Sequence, residues 1–401
     1  MNNWKLKFTV LWGGSAVSIF TSAIMQMALI WHIAISTESA LMLSVASIAG
    51  FLPTALLGSF AGAVVDRYNR KLIMIISDLY LAVIALGLVI FTLFAEPPVW
   101  IILIVLFLRS IGTAFHTPAL SAVTPLVVPE THLTKCAGYT QSLQTLGFIA
   151  GTSIAAILYP RWGIGGMVAL DIAGAILAAV AVLAVKIPEP PKTEHEGAHS
   201  FSIGIKESFG IFKTHKGLFA LLWIAAIFTF FFAPINALFP LMSMGHFEGT
   251  TTQASIAEIT FASGMMLGGV VLGLWGGFKN RGFTMAAAIA LMGVAIAVSG
   301  FLPVSGFIIF AVLSLLMGIS APFYSGPHVA LMQEKFKPEY LGRIFGFYGS
   351  LMSAAMLLGL VISGISADAV GVNTWFLVSG AAISLLAVVA FLTPSIRNIE
   401  K

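Results

Sequence analysis

The sequence predicts an all-α integral membrane protein with twelve transmembrane helices arranged as two pseudo-symmetric six-helix bundles, and three observations carry that reading. The first is composition. Of 401 residues, 59% are hydrophobic and only 9% are charged, against about 25% charged in soluble domains, so a water-soluble enzyme is excluded. The second is that apolar runs near the ~20 residues of a bilayer crossing succeed one another along the whole chain. The third is a repeat: polar signatures of the first half return in the second. Continuous runs rather than ~10-residue alternation exclude a membrane barrel, and an open strand in lipid would leave its backbone groups unpaired.

The spans follow in order. The first, 8–35, is too long for the apolar core of a cleavable leader and has no small-residue cleavage site behind it, so it is read as a span. The second, 41–65, stops at the basic turn Arg67, Arg70, Lys71. The third, 72–94, stops at Pro97 and Pro98, and the fourth, 98–127, at Pro129. Arg161 and Gly163 separate the fifth, 137–159, from the sixth, 164–187. A polar stretch, 188–216, with Pro188, Pro190 and Pro191 reads as a solvated linker with a short surface helix near 201–212. Beyond it lie 217–243, 254–278, 283–302, 304–332, 340–366 and 373–392. The domains expected are therefore 1–187, the linker 188–216, and 217–401.

The net charge of +4 is informative through its distribution. With the N-terminus inside, all but two of the 20 Lys and Arg residues fall at cytoplasmic ends or loops, which sets both orientation and even span count. The exceptions are Arg161, external, and Arg109, inside span four. Trp31, Trp100, Trp162 and Trp375 fall at outer ends, where interfacial anchors belong. No nucleic-acid partner is implied. The single cysteine, Cys136, excludes an intramolecular disulfide and a cysteine metal cluster.

Two segments carry the repeat. Gly62, Asp66, Arg67, Asn69 and Arg70 after span two are echoed by Gly273, Gly277, Phe278, Asn280 and Arg281 after span eight. Pro129, Glu130, Lys135 and Gly138 are echoed by Pro338, Glu339, Arg343 and Gly346. The offsets are 211 residues (Asp66 to Gly277) and 208 residues (Gly138 to Gly346). Two parallel six-helix halves point to a transporter with its site between repeats.

The segment Gly62, Asp66, Arg67, Asn69, Arg70, Lys71 resembles the signature Gly-x-x-x-Asp-Arg-x-Gly-Arg-Lys of the major facilitator superfamily. Asn69 stands where that family usually has glycine, a mild departure because Asn also tolerates a left-handed turn. The stretches LFLRSIGTAFHTPALSAVTPLVVPETHLTKCAGYTQSLQ and APFYSGPHVALMQEKFKPEYLGR resemble the macrolide-efflux branch of its drug:proton antiporters, and the likeness runs from the first residues into the last span. The resemblance implies the major facilitator fold and export of amphiphilic cationic drugs, most of all macrolides, in exchange for protons. It also implies a multi-pass location in a bacterial cell membrane with both termini cytoplasmic, and a monomer. An ATP-binding partner protein stays open. The motif from Gly62 through Asp66, Arg67, Arg70 and Lys71 is then the conformational switch, its carboxylate acting on a helix N-terminus near Leu341 and Gly342.

Arg109 is the strongest individual signal. A basic side chain at mid-membrane costs ~2.5–3.5 kcal/mol on insertion scales, and at ~1.5 Å per residue from Pro98 it lies about 16 Å deep, so it needs a partner. The acids within helical reach are Asp78 and Asp171. Glu258, in span eight, is the embedded acid of the second half. The resemblance implies proton coupling at the superfamily's span-four arginine, which maps onto Arg109 followed by Gly112, and Arg109, Asp78, Asp171 and Glu258 are the candidates for it. Gln26, His32, Phe231, Asn236 and Tyr324 are candidates for a substrate cavity. Pro234 with Asn236 is expected to break span seven beside an aromatic run. Gly147 and Gly151 read as close helix packing, and His116 with Pro118, like Tyr324 with Pro327, as points where a helix bends. No phosphate-binding Gly-x-x-x-x-Gly-Lys loop or His-Glu-x-x-His spacing occurs in the sequence, so neither ATP chemistry, a cofactor nor a metal is expected. Another drug or a siderophore-like metabolite remains open as cargo. The reading from a different class is a membrane-embedded enzyme or sensor.

Overall fold

The computed structural model describes residues 4–129, 133–187, 209–336, 338–397 and 399; the side chains of Asp66, Arg67, Leu341, Gly342 and Arg343 lie outside that description. Among the described residues the fold is helical throughout: α1 Trp4–Thr37, α2 Ala40–Arg67, α3 Arg70–Thr92, α4 Val99–Val127, the bent stretch Leu133–Ala184, α7 Lys216–Leu241, α8 Thr251–Trp275, α9 Arg281–Phe301, α10 Phe307–Lys335, α11 Pro338–Val370, α12 Val372–Leu392 and a last turn, α13 Pro394–Arg397. Gly163, with φ 58° and ψ −166°, divides the bent stretch into α5 (133–162) and α6 (164–184). Gly147 and Gly151 of α5 lie against Ile19 and Ala23, in the same order along α1, whereas Gly174 and then Ala181 of α6 meet Thr21 and then Gly14, in reverse order. The chain therefore turns back at Gly163. Among the described residues, eleven helical stretches are long and apolar enough to cross a membrane, and the turn at Gly163 divides one of them in two.

Side-chain placement is inverted relative to a protein in water. On α3 the exposed face is Leu72, Ile76, Leu79, Val83, Leu86 and Ile90, while Ser77 and Asp78 are buried. An uninterrupted apolar outer stripe suits lipid, and the acid goes inside.

Two compact units partition the chain: Met1–Glu38 with Val45–Thr193, and Ser39–Ser44 with Glu194–Lys401. In the first, Leu11, Val65, Met74, Ala119, Val123 and Val182 bring α1, α2, α3, α4 and α6 into one core. In the second, the aromatic run of α7 turns inward: Phe228 stacks on Phe232 at 5.2 Å and meets Tyr324 of α10 at 4.9 Å. Asp368 of α11 explains why Ser39–Ser44 cluster here, since its carboxylate accepts from the Ser39 hydroxyl (2.6 Å) and from the backbone N–H of Ala40 (2.5 Å) and Leu41 (3.2 Å).

Several expectations need correction. Asn69 makes no use of the left-handed turn it could tolerate: at φ −63°, ψ 110° it is the extended N-cap of α3, and its side chain accepts from the Leu72 N–H at 3.1 Å. Asn280 caps α9 in the same way through Phe283, so what the two halves repeat here is a helix cap. Pro234 does not break span seven, because α7 runs through both Pro234 and Pro240 and ends in a π turn, Met242–His246. Trp31 and Trp375 are buried inside their units, whereas Trp100 and Trp162 are exposed. Residues 209–214 are helical, so the described part of the expected surface helix docks by burying Phe212 against Phe336 and Phe347.

Candidate functional site

Inside the first unit, three helices deliver one polar cluster. Arg109 of α4 donates Nη1 to Oδ2 of Asp171 on α6 at 2.5 Å, and Nη2 to the Ser22 hydroxyl of α1 at 3.2 Å. Ser22 in turn donates to Asp171 Oδ1 at 2.7 Å. Both charged residues are buried, Arg109 at 8% and Asp171 at 2% exposure. Small residues allow the approach. A Cβ on Gly174, one turn from Asp171, would stand 2.0 Å from Thr21 Oγ1, and one on Gly151 would stand 2.7 Å from the Ala23 Cβ, so α1 is held close to both arms of the bend. Of the two acids within helical reach, the fold gives Arg109 to Asp171.

Asp78 takes a different neighbour. Its Oδ1 lies 3.3 Å from His116 Nε2 of α4, without hydrogen-bond alignment on either carboxylate oxygen. Gly112, between Arg109 and His116 on α4, is where that helix leans on Tyr80 and Leu81 of α3. In the second unit Glu258 is buried on α8, and its Oε2 has no hydrogen-bond partner among the described residues. The sequence reading missed His328 altogether: it is 1% exposed, with both ring nitrogens unpartnered among the described residues, and lies between the rings of Tyr324 (5.7 Å) and Tyr348 (5.2 Å). Its signal was a histidine four residues from Tyr324 on one helix face. Ser22 carried no such signal, since a serine in an apolar run is ordinary.

The cavity candidates fall in both units, Gln26 and His32 in the first and Phe231, Asn236 and Tyr324 in the second. His32 faces a cleft with Tyr159, whose hydroxyl is 3.5 Å from Nδ1. Phe231 meets Phe230 edge-on at 4.9 Å, Tyr324 is buried, Asn236 is exposed, and Gln26 is partly buried.

Around the Gly62–Lys71 motif, Arg70 Nη1 donates to the Ala122 carbonyl of α4 (3.1 Å), and Lys71 Nζ to the carbonyls of Leu183 (2.9 Å) and Val185 (2.7 Å). A cation at the end of α6 meets the negative pole of that helix. At the repeat-related place, Arg281 pairs with the exposed Glu334 at 2.7 Å. The Arg281 hydrogen bond holds the Glu334 carboxyl below its ordinary 4.5, so this pair contributes above that pH and its contribution is lost as pH falls.

Comparison with known proteins adds to this geometry. The family model described as Major Facilitator Superfamily matches residues 11–257 and 234–400. Macrolide efflux protein A of Streptococcus pyogenes is 50% identical over 399 residues, covering 100% of this chain and 98% of that protein. Multidrug efflux pump Tap of Mycolicibacterium fortuitum is 27% identical over 390 residues, covering 92% and 91%. Among solved structures, the nucleoside transporter NupG superposes with a TM-score of 0.74 at 14% identity, over 97% of this chain and 98% of that one; at this identity the likeness speaks for the fold alone.

Proposed function

Because the chain belongs to the major facilitator superfamily and to its macrolide-efflux family, a family of transporters rather than enzymes, we propose that it exports amphiphilic cationic drugs, macrolides above all, in exchange for protons by alternating access. The cargo follows from the likeness to macrolide efflux protein A across the full length. The observation that carries the coupling is the buried Ser22–Arg109–Asp171 cluster. A carboxylate in the membrane interior needs a compensating charge. When the helices shift and Arg109 is drawn off, a proton is the smallest cation that restores the balance on Asp171, and its release follows when Arg109 returns. One charge crossing 100 mV is worth ~2.3 kcal/mol, enough to drive such a step repeatedly. The motif containing Gly62, Asp66, Arg67, Arg70 and Lys71 serves as the switch of the cycle, and Asp78 with His116 and Glu258 are the alternative proton sites. Phe231, Asn236 and Tyr324, with Gln26 and His32, contribute to the substrate path.

The test is expression in a pump-deficient host against a panel of drugs, with and without a protonophore. Raised inhibitory concentrations for macrolides, abolished by the protonophore, are the expected result. Resistance to other compounds but not to macrolides overturns the cargo, and resistance that survives the protonophore overturns the coupling and brings back an ATP-binding partner.

Orientation is tested separately. In a Cys136→Ser background, a cysteine placed at Glu196 should remain unlabelled by an impermeant maleimide in intact cells and react after lysis. The placement of basic residues supports a cytoplasmic position for that linker and both termini; labelling from outside overturns it.

A further inference from the structure

At the end of the first unit where α3 passes into α4 and α5 bends into α6, a cleft of about 210 Å³ is lined by His32, Thr92, Glu96, Tyr159, Gly163 and Gly165. Three elements bring chemistry to it: α1 an imidazole, the 93–98 loop a carboxylate, and α5 a phenol. Glu96 makes no hydrogen bond or ion pair with any described residue. The nearest cation in sequence to Tyr159, Arg161, turns its guanidinium to the Ile157 carbonyl instead, at 3.2 Å. The Tyr159 ring is held from behind by Trp31, edge-on at 6.1 Å, and its hydroxyl lies 3.5 Å from His32 Nδ1. The bend itself opens the space. Gly163 takes a φ of 58°, and a side chain at Gly165 would run into Thr92 Oγ1 at 2.8 Å.

An unpaired carboxylate and an aromatic ring on one cleft make an environment for a positive charge. The volume is below the ~300–1,000 Å³ of pockets that enclose a whole drug-sized ligand, so the site takes a head group and leaves the rest of the molecule outside. We propose that this cleft binds the alkylammonium group of an organic cation, with Glu96 supplying the charge, Tyr159 the aromatic wall and His32 a hydrogen bond that orients the phenol. The proposal rests on the reading that the cargo is cationic. With the N-terminus cytoplasmic, the cleft opens to the outer face, where an exporter delivers its cargo.

The probe is tetramethylammonium chloride, titrated calorimetrically into the purified full-length protein in detergent, with sodium chloride at equal ionic strength as the comparison. Saturable binding of tetramethylammonium and not of sodium is expected, weakened at least tenfold in Glu96→Gln, several-fold in Tyr159→Leu, and little in Glu96→Asp, each variant passing size exclusion as wild type does. Equal binding by wild type and Glu96→Gln, equal response to sodium, or no binding at all overturns the site and leaves Glu96 a solvated surface carboxylate. Macrolide resistance of cells carrying the wild-type protein is scored in parallel. Resistance without tetramethylammonium binding removes the cleft and leaves the export reading standing; binding without resistance does the reverse.

Discussion

Arg109→Ala should abolish the proton-driven export proposed above and sharply reduce the amount of folded protein. Arg109 and Asp171 are both buried and share Ser22, so removing the guanidinium leaves a carboxylate without its countercharge. Breaking a buried pair from one side costs about 3–5 kcal/mol, more than a hundredfold in the folded population where each ~1.4 kcal/mol is tenfold. The double variant Arg109→Ala, Asp171→Ala removes both charges and should recover folding, seen as a monodisperse peak and a melting temperature near wild type, while export stays lost. Ser22→Ala removes one neutral bridge, worth about 1 kcal/mol, and should fold and export at a reduced rate. This order separates structural from coupling roles, because a merely structural pair would regain export in the double variant. If Arg109→Ala exports normally and still responds to the pH gradient, coupling lies elsewhere and Glu258, the buried acid of α8, is the first to replace.

Gly318→Ala should strongly destabilise the second unit. A Cβ there would stand 2.0 Å from the Phe261 carbonyl oxygen and 2.9 Å from the Met265 nitrogen. From the other side, one on Gly264 would stand 2.2 Å from the Leu315 oxygen and one on Gly268 2.3 Å from the Ile319 oxygen. Every one of these neighbours is backbone, so no side chain can swing away and α8 must separate from α10. Overpacking ordinarily costs about 1–3 kcal/mol. Moving a helix also gives up the close van der Waals packing on which association in lipid depends, so the upper end or more is expected. Gly269→Ala, one residue along α8, meets nothing within 4 Å and should be silent. Thermal unfolding of the two variants side by side decides it: equal melting temperatures would mean that the α8–α10 approach is looser than the structure shows.

These two predictions differ in how much of their basis could be read beforehand. A lone arginine in an apolar run announces its own cost, so the need for a partner was legible, and helical rise narrowed the acids to Asp78 and Asp171. Choosing between them was not possible from one chain, because both lie within a side chain's reach in depth and only the packing of α1 against α4 and α6 decides which one faces Arg109. The same reason hid Ser22. Trp31 and Trp375 were misjudged because position along the chain sets depth in the membrane, whereas rotation about the helix axis decides whether a residue meets lipid or protein. Pro234 was misjudged because a proline removes one N–H, and neighbouring helices in a bundle can hold the rest of the helix in line.

What the sequence determined by itself is therefore what depends on one coordinate: the crossing segments, the place of the turns, the period of the repeat and the need of Arg109 for a partner. Transfer from water to lipid is nearly additive along a chain, so a linear reading captures it. Tertiary structure decided which groups meet: Asp171 with Arg109 rather than Asp78, His328 between two tyrosines, Glu96 on a cleft with Tyr159. Those outcomes depend on azimuth and on the small residues that let backbones close in. Both are properties of pairs of helices and belong to no single segment.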